Sequence, residues 1–190
     1  MLNRPGRTSI VLVTAAFATL FGSAAAFGDE PGEWSKVVGL LFFVLWWAAI
    51  AVHVPTAPAR LRPVLAAGFV VYVVAFLLPS ATQGRTEYLG WECFLQALAW
   101  VPEAWIANPI FLIAVALVRR DNAAAGAVVG LLALGAGALA PAHHGITVHI
   151  GFFVWMAGIA IASVGPAFAS IAIRRPVSAL PTSVDAPPPS

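Results

Sequence analysis

Charge is what this chain has least of. Its 190 residues include 10 Lys+Arg and 8 Asp+Glu, 9% together, where a soluble globular domain carries about a quarter. Cysteine occurs once, at Cys93, which excludes an intramolecular disulfide framework and any CxxC metal or redox motif. A net charge of +2 is too thin for a phosphate-tracking surface, so nucleic acid is excluded as a partner. GxSxG, Walker and HExxH patterns are absent too, and with them the common signatures of hydrolase, nucleotide-binding and zinc-protease chemistry.

What the chain has in abundance is apolar length. Hydrophobic residues make up 61% and mean hydropathy is +0.90, which excludes intrinsic disorder for all but the ends. At about 20 residues per span, this composition suffices for five or six helices. Apolar runs fall at Thr8–Gly28, Lys36–Val54, Pro63–Pro79, Pro102–Val118, Ala123–Pro141 and Val148–Ile173, with Pro55, Pro58, Pro63, Pro79 and Pro141 at their ends. No run alternates with the period of two that a transmembrane barrel needs. The expected fold is therefore all-α, a polytopic transmembrane helix bundle of six spans.

Charge placement supplies an independent check. With the N-terminus inside, Arg4, Arg7, Arg60, Arg62, Arg119, Arg120, Arg174 and Arg175 lie inside, and only Lys36 and Arg85 lie outside. Asp29, Glu30, Glu33, Glu87, Glu92 and Glu103 gather outside, so both ends are expected in the cytoplasm of a bacterial cell, with the protein in its inner membrane. The first segment has two readings: an uncleaved span, or a signal peptide cut after the small residues Ser23–Ala26, which leaves five spans. Residues 176–190, rich in proline, read as a disordered cytoplasmic tail.

The fourth segment is irregular. Residues 91–118 are nearly uncharged for too long a stretch for one untilted span, and Pro102 and Asn108-Pro109 interrupt them. Residues 91–101 read as an amphipathic helix at the outer interface, with a re-entrant half-helix as the competing picture. Trp34, Trp91, Trp100 and Trp105 fit an aromatic belt. Trp46 and Trp47 are too deep for the belt and are expected to fill a groove between helices, with a partner or pigment as the alternative.

Candidate chemistry is sparse. His143, His144 and His149 lie within seven residues, and Glu92, Glu103 and Cys93 are expected on the same face. Imidazole, carboxylate and thiolate together suit Zn or Cu, and histidines also suit a pH sensor; solvated loop histidines are the bland reading. No cofactor motif is present, and His53 has no opposed partner for haem. No span carries an ionisable residue near its midpoint, which argues against a proton-coupled pump. The polar candidates for a solute site are Asn108 and Gln96. Asn108 also has a local task, because Pro109 frees a backbone carbonyl that its side chain can satisfy. Val37–Leu41 recurs as Val128–Leu132, a match expected by chance among such common letters.

Small residues mark the last two spans. Gly126, Gly130, Gly137, Gly151, Gly158 and Gly165 let backbones approach closely, within the chain or across an oligomer. Three functions stay open. An accessory or scaffold subunit packing against other membrane proteins ranks first, a transporter or channel for a small or uncharged solute second, and a metal-linked enzyme third. A cavity reaching Asn108 favours the second. The expected partners are the lipid bilayer and either other membrane proteins or a second copy.

Overall fold

The computed structural model describes residues 8, 10–15, 33–142 and 145–174. Eight α-helices and three short strands are assigned from Glu33 onward: α1 Glu33–Ala51, α2 Arg62–Ala75, β1 Pro79–Gln83, β2 Thr86–Leu89, α3 Gly90–Trp100, α4 Pro102–Trp105, α5 Ala107–Arg119, α6 Ala123–Gly137, β3 Ile146–Val148, α7 Ile150–Ser163 and α8 Gly165–Arg174. Three stretches are long and apolar enough to cross a membrane, Pro102–Arg119, Ala123–Ala142 and Ile150–Ala172; the apolar helices Val37–Ala51 and Arg62–Ala75 are shorter. The chain is thus mostly helical with features of a membrane protein.

Local chemistry sets the helix ends. Pro63 is the second residue of α2 and Pro102 the first of α4, positions in the first turn where a missing N–H costs nothing. Pro102 also drives Val101 out of the helical region, to φ −140° and ψ 59°, and so separates α3 from α4. Asn122 caps α6, its side chain accepting from Ala125 N at 3.1 Å. The last apolar run is interrupted between Ser163 and Gly165, beside Pro166.

A small antiparallel sheet, order β2-β1-β3, corrects the all-α expectation. Gln83 pairs with Thr86 across the two-residue loop Gly84-Arg85, and Gly84 has φ +62°. A glycine at the first central position is what a tight hairpin with that backbone demands. β3 adds to the free side of β1, and His149 N donates to Ser80 O at 2.9 Å.

Two loop clusters lie at opposite ends of the helices. At one, Arg60 Nη2 meets both carboxylate oxygens of Asp121, at 2.6 and 2.8 Å, joining the α1–α2 loop to the α5–α6 loop. At the other, the sheet joins the connection after α2 to the segment before α7. The most extensive packing pairs α2 with α7 and α5 with α6. Gly158 of α7 lies against the Tyr72 backbone, where a Cβ would come within 2.5 Å of Tyr72 N, and Gly68 of α2 lies against Ala162.

Helix α1 joins through rings instead. Phe43 lies 4.4 Å from Phe76, Trp46 lies 5.7 Å from Phe94, and Phe42 also lies 5.7 Å from Phe94. Phe94 carries α3 into this aromatic core. Trp46 is fully buried between helices. Trp105, expected at headgroup level, is instead in the core, 6.0 Å from Trp46 and 5.9 Å from Phe94. The helix break at Pro102 allows this: the short α4 turns the indole inward where a continuous helix would present it elsewhere. His53 is buried as well, in the turn that follows α1.

Candidate functional site: a cavity ending at Asn108

Asn108 occupies the first turn of α5, just before Pro109. In a regular ladder the nitrogen of residue 109 donates to Trp105 O, but proline has no hydrogen to give. Asn108 Nδ2 donates to Trp105 O in its place, at 3.0 Å. The same side chain then serves a second purpose. Its Oδ1 accepts from the Tyr72 hydroxyl at 2.9 Å and from Trp155 Nε1 at 3.2 Å. Tyr72 in turn accepts from Trp46 Nε1 at 3.2 Å. Indole nitrogens only donate and the Trp105 carbonyl only accepts, so every bond in this chain has one allowed direction and the amide orientation follows. Four helices, α1, α2, α5 and α7, are thereby tied together.

A cavity of about 120 Å³ stops at this network. At about 30 Å³ per water in the liquid, it has room for about four waters. Its walls come from β1, β2, β3 and helices α2, α3, α4, α5 and α7, and Phe76, Tyr88, Phe94, Trp105, Phe152 and Trp155 supply aromatic faces. Ser80, Gln83, Cys93 and Asn108 supply the other polar atoms, and no charged residue is among the described lining residues. Inward of Asn108, Phe111, Ala114, Val115 and Val118 are fully buried, and none of them lines the cavity. Asn108 is eleven residues from Arg119, about 17 Å along the helix, so the cavity belongs to the half of the bundle nearer the sheet.

Cys93 faces this space from α3, its Sγ lying 3.8 Å from Tyr88 O. Burial, helped by the neighbouring Glu92 carboxylate, pushes its thiol pKa up to about 12, the reverse of what an activated nucleophile shows. Glu92 is occupied locally, accepting from Leu89 N at 2.8 Å. His149 Nε2 lies 2.6 Å from Thr82 Oγ1, holding β3 to β1. Glu103 is exposed in the first turn of α4. His143 and His144 lie outside the described residues, as does the side chain of Gln96. Among the described residues no three His, Cys, Asp or Glu side chains gather as a metal site requires.

The marked glycines all meet atoms of this same chain. Gly126 lies against Val118, Gly130 against Ser163, Gly137 against Trp155 and Met156, Gly151 against Ser80, Gly158 against Tyr72, and Gly165 against Val64. Asn108 is the one solute candidate from the sequence that the described cavity contains, whereas Tyr72, Trp155 and the hairpin wall were not anticipated. A tyrosine inside an apolar run was the available signal, because a buried hydroxyl needs a partner and Asn108 is the polar residue at a matching depth. No protein family, curated protein or solved structure matches the chain.

Proposed function

We propose that this chain is a multi-pass protein of the bacterial inner membrane that binds a small, uncharged, largely apolar solute in the cavity ending at Asn108, as the first step of moving it. It crosses six times with both ends inside, or five times if the first segment is removed. The observation that carries the reading is the cavity itself: apolar and aromatic walls, no described charge, and one amide set in a directed hydrogen-bond network at its inner end. Concave apolar sites with few convergent polar groups are the general form of small-molecule sites. The cavity lies on the sheet side of Asn108, away from Arg60, Arg62, Arg119 and Arg120, which the positive-inside rule assigns to the cytoplasm. An accessory role draws less support, because the six marked glycines all make their close approaches within the chain.

The test is mass spectrometry of small molecules carried by the full chain purified in mild detergent, compared with Ala104→Trp and Ala97→Phe, which place bulk in the cavity. The expected result is an uncharged molecule, near one per chain, that is lost from both variants while helix content is retained. Identical small-molecule content in all three proteins, or a fixed ratio of partner subunits with no small molecule, overturns the reading.

A further inference from the structure

The hydrogen-bond arithmetic at Asn108 specifies what the cavity's occupant must offer. An amide side chain has one carbonyl with two lone pairs and two N–H hydrogens. Both lone pairs are taken, by the Tyr72 hydroxyl and by Trp155 Nε1, whereas Nδ2 gives one hydrogen to Trp105 O. One N–H is left over on a residue that lines the cavity and is only 3% exposed. The inner end of the cavity therefore presents a donor and has no acceptor capacity remaining on Asn108. Its walls present flat faces, Phe76, Phe94 and Phe152 among them, which favour a ring by stacking and edge contacts.

Resting on the solute-binding reading above, we infer that the occupant is an uncharged ring ketone whose carbonyl oxygen accepts the remaining Asn108 Nδ2 hydrogen while its ring lies between the aromatic walls. An apolar ring without an acceptor fills the walls but leaves that N–H unmatched. A ring that only donates meets another donor.

Cys93 lines the same cavity and is the only cysteine in the chain, so its alkylation reports occupancy without a label. The full chain in detergent is treated with N-ethylmaleimide at pH 9 in the presence of 1-tetralone, tetralin or indole: one carbon frame with a carbonyl, the same frame without it, and a ring of similar size that donates. Modification is read by intact mass. Half-protection of Cys93 is expected at about fivefold lower 1-tetralone than tetralin, the advantage of one added hydrogen bond, with indole no better than tetralin. Asn108→Asp keeps a carbonyl oxygen for Tyr72 and Trp155 but carries at most one O–H, which Trp105 O takes. That variant is expected to lose the preference for 1-tetralone while still being protected by tetralin. Equal protection by 1-tetralone and tetralin in the wild-type chain overturns the ring-ketone inference and leaves the solute-binding reading in place. No protection by any of the three at millimolar concentration overturns that reading as well. The wild-type comparison decides the inference even if Asn108→Asp does not fold.

Discussion

The Tyr72 hydroxyl donates to Asn108 Oδ1 across 2.9 Å, and both groups are buried. Thirty-six positions apart in sequence, they join α2 to α5 where the cavity ends. Removing either partner orphans more than one bond, because Tyr72 also accepts from Trp46 and Asn108 also accepts from Trp155.

Tyr72→Phe leaves the Trp46 indole N–H without its acceptor and Asn108 Oδ1 with one donor in place of two. Hydrogen bonds between membrane helices average about 0.6 kcal/mol and reach about 1.7, so a loss of about 1 kcal/mol is expected. Thermal unfolding in detergent checks it as a fall in Tm of a few degrees, and an unchanged Tm contradicts the network.

Pro109 makes the Asn108 amide necessary to Trp105 O, so the two residues are expected to be coupled. Pro109→Ala supplies the missing N–H, and Asn108→Ala is then expected to cost less than it does beside proline. A double-mutant cycle on unfolding free energy is expected to show a coupling of about 0.5–1 kcal/mol. Simple additivity contradicts the replacement of a backbone donor by this side chain.

Glycines at close crossings are expected to behave differently from glycines in open space. A Cβ at Gly158 comes within 2.5 Å of Tyr72 N, whereas one at Gly135 meets nothing within 4 Å. Gly158→Ala is expected to destabilise by about 1–3 kcal/mol through overpacking. Gly135→Ala is expected to be neutral or to stabilise by up to about 1 kcal/mol, since alanine is the better helix former. Unfolding midpoints of the two variants, measured side by side, decide the matter.

Cys93 titrates late. Burial holds its thiol protonated up to about pH 12, and only the thiolate reacts quickly with maleimide. Below that value the reactive fraction rises about tenfold with each unit of pH, so alkylation is expected to keep accelerating from pH 7 to 10. A free cysteine levels off above its own pKa of about 8.5. A plateau near pH 9 for Cys93 contradicts its burial against the cavity wall.

Much of the helical framework was legible because proline, charge and long apolar runs act locally. Pro63 and Pro102 stand in first helical turns, and the irregular fourth segment divides at Pro102 as expected, whereas the further break between α4 and α5 falls at Ile106, ahead of Asn108-Pro109. Asn108 was legible as a polar residue beside a helix-breaking proline. The sheet was not, because its strands are only three to five residues long and β3 is brought to β1 by the helices between them; the Gln-Gly-Arg-Thr turn at residues 83–86 was its one local trace. The inward turn of Trp105 was also illegible, since an indole at the boundary of an apolar run fits a headgroup or a core equally well. Which polar atoms meet Asn108 depends on the close α2–α7 approach at Gly158, a pairing that no single segment encodes.

The measurement that bears most directly on the whole arrangement is sidedness. In a Cys93→Ala background, Arg85→Cys in the hairpin turn and Arg120→Cys after α5 are exposed in intact cells to a membrane-impermeant maleimide. Position 85 is expected to react from outside, and position 120 only after the membrane is opened. Labelling of both from the same side contradicts a bundle whose sheet-capped cavity faces away from the arginine-bearing loops.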